Sequence, residues 1–123
     1  MILGIGVDVV HVGRMRHWES VPGLVGRYFH PEEIADARSR GAGESLSLAA
    51  RFAAKEAFGK ALGTGLSGLR LRDIQVVNDP NGRPGMLLYD TALARFREVG
   101  GARVHVSLTH ESENAIAIAI IEG

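Results

Sequence analysis

The stretch Arg51-Phe52-Ala53-Ala54-Lys55-Glu56-Ala57-Phe58-Gly59-Lys60 lies inside a longer run, residues 44–62, dominated by alanine, leucine and charged residues. Such side chains lose little freedom in a helix, so the run predicts one long helix. Gly63 follows it, the residue type that most readily adopts the left-handed turn ending a helix. The rest of the chain is read outward from this element. Upstream, residues 2–10 form a short apolar run rich in Ile and Val that predicts a buried strand. Side chains alternate along a strand, so Leu3, Ile5, Val7 and Val9 share one face and Gly4, Gly6 and Asp8 the other. Residues 12–38 predict three short helical pieces, broken at Pro22-Gly23 and at Pro31. His30-Pro31-Glu32-Glu33 has the form of a helix start, with proline near the first helical position and acids in the first turn. Residues 39–43 are expected to be a loop.

Downstream, residues 73–89 predict a hairpin, with Ile74, Val76 and Val77 before Asn78-Asp79-Pro80-Asn81-Gly82 and Met86, Leu87 and Leu88 after it. Residues 90–99 predict a short amphipathic helix carrying Leu93, Phe96 and Arg97. Residues 103–110 and 114–121 predict two further strands. The order is that of an α+β fold: one domain, residues 1–123, with an antiparallel sheet packed by one long and several short helices. The last strand, Ala115-Ile116-Ala117-Ile118-Ala119-Ile120-Ile121, is apolar on both faces, whereas a half-solvated strand alternates apolar with polar. Either it is central with helices on both sides, or another subunit covers one face.

Composition narrows the function. The chain has 123 residues, with 14 Lys plus Arg against 14 Asp plus Glu. A zero formal charge disfavours nucleic-acid binding through bulk phosphate neutralisation. There is no cysteine, which excludes disulfides, thiolate metal sites and cysteine nucleophiles. No apolar run reaches the roughly 20 residues that span a bilayer, and no basic segment leads an apolar one at the N-terminus. A cytoplasmic location without membrane or nucleic-acid partners is expected.

Two carboxylates stand out. Asp8 lies in an apolar strand, where a charge is costly unless paired or bound to a metal. It either caps a turn near the strand end or faces a ligand or another backbone that approaches over Gly4 and Gly6. Glu56 lies among Phe52, Ala49, Ala53 and Lys60 on the long helix. It either forms an ordinary pair with Lys60 one turn on, or meets Asp8 across the glycine gap to share a divalent cation. Arg51, Lys55 and Lys60 have the pattern of a solvated helix face, and His110 at a strand end that of a structural histidine. The standard nucleotide-loop motifs are absent.

Four stretches together resemble the holo-acyl-carrier-protein synthase family, small bacterial 4′-phosphopantetheinyl transferases. They are Gly4-Ile5-Gly6-Val7-Asp8, then Arg51 to Ala57 with Lys60 and Gly63-Thr64-Gly65, then Asn81-Gly82-Arg83-Pro84, and Val106-Ser107-Leu108-Thr109-His110. The resemblance spans essentially the whole chain. It implies transfer of the 4′-phosphopantetheine arm of coenzyme A to a serine of apo acyl carrier protein, with Mg²⁺ required and 3′,5′-ADP released. It implies Asp8 and Glu56 as metal ligands and Lys60 on a diphosphate oxygen. Arg51 and the turn Asn81–Pro84 would take the adenine and 3′-phosphate end, with Ser107 and His110 in the same pocket, and Gly63 would also be a cofactor-binding residue. Glu56, Lys60 and His110 would be the catalytic residues. The family's homotrimer, with sites at subunit interfaces formed by the C-terminal strands, would cover the apolar last strand. Carrier proteins are acidic, so Arg14 and Arg27 of the basic leading helices are the expected partner contacts. Fatty-acid and polyketide carriers are equally compatible. Two rival classes are weaker: a coenzyme-binding module without catalysis would not need the two carboxylates, and an RNA-binding domain would want exposed aromatics and net positive charge.

Overall fold

The computed structural model describes residues 1–123. The chain runs β1 (Ile2–His11), α1 (Val12–Glu19), α2 (Leu24–Tyr28), α3 (Pro31–Arg38), α4 (Glu44–Leu62), β2 (Ile74–Asn78), β3 (Pro84–Leu88), α5 (Asp90–Glu98), β4 (Arg103–Glu111) and β5 (Asn114–Glu122). The expected elements are all present, within a residue or two at their ends. Helix α4 stops at Gly63, whose φ of 83° is left-handed. Helix α3 starts as its sequence predicts: the His30 ring accepts the Glu32 N–H, and the Glu33 carboxylate accepts the His30 N–H.

The strands form two antiparallel sheets, not one. The larger has the order β1-β5-β4, and β2-β3 is a separate hairpin. The hairpin loop spans residues 79–83, five residues rather than a two-residue Asn-Gly turn. Asp79 Oδ1 sets it by accepting the N–H groups of Asn81 and Arg83 at 2.9 and 2.8 Å.

Strand β5 is central, and helices cover only one of its faces. Ala115, Ala117, Ala119 and Ile121 are fully buried towards α4. The other face carries Ile116, Ile118 and Ile120 beside Ile5, Val7 and Val9 of β1. Ile5 is 62% exposed, Val9 58% and Val7 51%, so this apolar face is open in the single chain.

Small residues on the inner face let α4 lie directly on the sheet. A Cβ at Gly4 would sit 1.8 Å from the Ala61 carbonyl oxygen, and one at Gly6 1.8 Å from that of Ala57. The gap beside Asp8 is therefore filled by the backbone of α4, not by open space. The solvated face expected for Arg51 and Lys55 is also overturned. Lys55 is 0% exposed and Arg51 5%, because α3 and β2 pack over this side of α4, α3 supplying Glu33 and Asp36. No helix is long and apolar enough to cross a membrane.

Candidate active site

Asp8 and the last two turns of α4 meet where β1 crosses the helix. The Lys60 ammonium donates to Asp8 Oδ1 at 3.1 Å and to the Val7 carbonyl at 3.0 Å. Lys60 thus pairs with Asp8 and not with Glu56. Glu56, one turn earlier on the same face, is half-buried and forms no hydrogen bond or ion pair within the chain. Burial, then the negative charge of Asp8, raise the pKa of Glu56 above the ordinary carboxylate range, and the charges of Arg14 and Lys60 offset part of this. Two carboxylates that repel each other, one of them unpaired, define a place where a cation would be stabilised.

A groove of about 310 Å³ opens beyond the other end of the helix. It is walled by Leu46, Ser47, Ala50 and Arg51 of α4, Val76 and Asn78 of β2, and Leu108, Thr109 and His110 of β4, with Arg40 and Gly43 at its edge. His110 is exposed there, and its ring makes no hydrogen bond within the chain. The Arg51 guanidinium lines the groove but is largely spent inside the protein. It donates to the Val76 carbonyl at 2.6 Å, to Asp36 and to Ser47 Oγ.

The structure brings Asp8, Glu56 and Lys60 together, and separately Arg51 and His110. Gly63 terminates α4 beyond Lys60. Asn81, Gly82 and Arg83 sit on the exposed hairpin tip, which reaches the groove only through Asn78, the partner of Pro84. Ser107 is on the open face of the sheet, opposite Ile118, and does not line the groove in a single chain. Arg14 and Arg27 are exposed on α1 and α2. The sequence reading missed Glu33 and Asp36 as partners of the α4 cations, and Asn78, Ser47 and Arg40 as groove residues. The pattern of Arg51 and Lys55 one turn apart gave no signal for this, since it is the same whether the face meets water or an acid from another helix.

Comparison with known proteins adds a family. The model of the 4′-phosphopantetheinyl transferase superfamily matches residues 4–119. The holo-[acyl-carrier-protein] synthase of Treponema denticola is 54% identical over the full length of both chains. The crystal structure of the holo-[acyl-carrier-protein] synthase of Neisseria meningitidis superposes with a TM-score of 0.90 at 33% identity, covering 100% of both chains. That of Bacillus anthracis, in complex with CoA (3′,5′-ADP), gives 0.84 at 31% identity and covers 100% of this chain and 98% of that one. The fold and these likenesses define the class as an α+β transferase. The chain belongs to the holo-[acyl-carrier-protein] synthase family of the 4′-phosphopantetheinyl transferase superfamily.

Proposed function

We propose that this chain transfers the 4′-phosphopantetheine arm of coenzyme A to a serine of apo acyl carrier protein and releases 3′,5′-ADP, with Mg²⁺ held by Asp8 and Glu56. The observation that carries this reading is the unpaired Glu56 carboxylate beside Asp8 and Lys60. Hard oxygen donors suit Mg²⁺, which takes few protein ligands and completes its shell with water and phosphate oxygens. Bound there, Mg²⁺ would neutralise charge on the diphosphate as a Lewis acid. Lys60 presents an ammonium to a diphosphate oxygen as a point charge. The serine Oγ bonds to the β-phosphorus, the bond to the bridging oxygen breaks, and 3′,5′-ADP leaves with that electron pair. Glu56 is also the side chain placed to take the serine proton as a general base. The nucleophile comes from the partner, so no activated serine or cysteine is needed on the enzyme.

In this reading the groove takes the adenine and 3′-phosphate, with Arg51, His110 and the Asn81–Pro84 turn around it. The open face of β1 and β5 is covered by further copies of the chain in a homotrimer. Assembly there would draw Ser107 into the interface and build each site from two chains. The exposed arginines Arg14 and Arg27 receive the acidic carrier.

Mass spectrometry of apo acyl carrier protein incubated with the enzyme, coenzyme A and Mg²⁺ tests the reaction. The carrier should gain the phosphopantetheine mass, and chelator should prevent it. A carrier that stays apo with Mg²⁺ present overturns the proposal. Sedimentation tests the assembly: Ile118→Glu would bury a charge and should yield monomer or aggregate, and an unchanged trimer would place the interface elsewhere.

A further inference from the structure

Arg14 differs from the other arginines around it in how its guanidinium is held. Its Cζ lies 5.3 Å from the centroid of the Trp18 ring and 4.9 Å from that of Phe52. The two rings stand 4.9 Å apart at 61°, and Trp18 is itself braced by Tyr28 at 5.2 Å. The spacing explains the arrangement. Arg14 and Trp18 are one turn apart on α1, and Phe52 and Glu56 one turn apart on α4, so the rings form a shelf where the two helices cross. The guanidinium lies beside both rings, and the Arg14 side chain makes no hydrogen bond or ion pair within the chain. By contrast, Arg16 lies 3.6 Å from Glu113, and the hydrogen bonds of Arg51 are made inside the protein. The shelf also keeps the charge close to the site, since Arg14 is among the groups that act on Glu56.

We infer that Trp18 and Phe52 are positioning residues for carrier binding: they hold the Arg14 guanidinium near the Asp8–Glu56 site with its N–H donors unspent and free to meet a carboxylate of an acidic partner. The inference rests on the reading that Arg14 contacts the carrier. A free arginine side chain loses rotamer freedom when it binds, and a pre-ordered one loses less. A guanidinium edge also matches a carboxylate bidentately, which a lysine cannot do.

The test compares Arg14→Gln, Trp18→Leu and Trp18→Phe in steady-state transfer to apo acyl carrier protein, with direct coenzyme A titration and melting curves beside it. Arg14→Gln should raise the KM for carrier about tenfold or more, as expected for a lost charge-assisted hydrogen bond. Trp18→Leu should raise it about two- to fivefold, the scale of a cation–π contact, with kcat and coenzyme A affinity little changed. Trp18→Phe keeps a ring and should restore most of the loss. In the double variant of Arg14→Gln with Trp18→Leu, the Trp18 change should add nothing. Trp18 is the one tryptophan of the chain, so its emission should respond to added apo carrier, and Arg14→Gln should abolish the response. A wild-type KM in Trp18→Leu beside a raised KM in Arg14→Gln overturns this inference alone. A wild-type KM in Arg14→Gln removes the docking reading and this inference with it. If melting temperature and coenzyme A affinity fall together with the KM effect, the shelf is merely structural and the inference fails.

Discussion

Lys55 and Glu56 are consecutive residues of α4, yet they sit in opposite surroundings. Lys55 is fully enclosed, with its ammonium 2.7 Å from Glu33 and bonded to the carbonyls of Leu71 and Ile74. Glu33 in turn accepts the Val76 N–H at 3.1 Å, while Arg51 donates to the carbonyl of the same residue. The edge of β2 is thereby clamped to α4 and α3 through charges that are all matched. Glu56 and Lys60 form the other region. There the acid has no donor and the lysine only Asp8 and one carbonyl. Buried charge that is fully partnered holds a fold together, whereas partly buried charge left short of partners is held ready for a ligand.

The largest effect expected from breaking this contrast is on the closed side. Lys55→Met would leave Glu33 buried without its main partner. That should cost about 3–5 kcal/mol and be read as a large drop in melting temperature. Adding Glu33→Gln should return part of the loss, since the orphaned charge goes too. Full stability in Lys55→Met would show that the network is not a clamp.

On the open side, activity and stability should move in opposite directions. Glu56→Gln and Asp8→Asn should each lower turnover by about a hundredfold or more, because even groups behind a metal ligand cost ten- to a hundredfold when removed. The metal-free Glu56→Gln protein should be at least as stable as the wild type near neutral pH. The sign follows from the raised pKa of Glu56. Between the ordinary carboxylate value and the raised one, the native state binds more protons than the unfolded chain. Its stability therefore falls as pH rises through that window. Melting curves across the acidic to neutral range should show this slope in the wild type and lose it in Glu56→Gln. Mg²⁺ should raise the melting temperature of the wild type and not of the variant.

The smallest effect sharpens the comparison from outside. Arg16 and Glu113 are paired at 3.6 Å but more than half exposed. Glu113→Gln should change stability by less than about 1 kcal/mol, since solvent screens such a pair. A larger loss would mean that partner count alone, not burial, separates the two regions.

Much of this was legible in the sequence, because local patterns fix local structure. The bounds of α4 follow from its composition and from Gly63, the start of α3 from His30 and Glu33, and the two faces of β1 from strict alternation. Asp8 and Glu56 were legible as carboxylates out of place. What could not be read depends on partners distant along the chain. The match of Lys55 to Glu33 spans 22 residues, and that of Arg51 to Asp36 spans 15. Helix periodicity alone cannot tell a solvated cation from one met by a later-packed acid. The split of the strands into two sheets has the same origin. The β2 edge away from β3 is occupied by Glu33 and Arg51 at Val76, so side chains stand where another strand would otherwise pair.

The contact of Gly4 and Gly6 with the carbonyls of Ala61 and Ala57 has a consequence for how this enzyme can change. The span between the Asp8 and Glu56 carboxylates is gauged by main chain resting on main chain. Side-chain volumes elsewhere in the core do not enter that dimension, so the interior can drift in composition while the gauge stays true. A single methyl group at either glycine would act as a shim. It would lift the whole helix and carry Glu56 and Lys60 away from Asp8 in one movement.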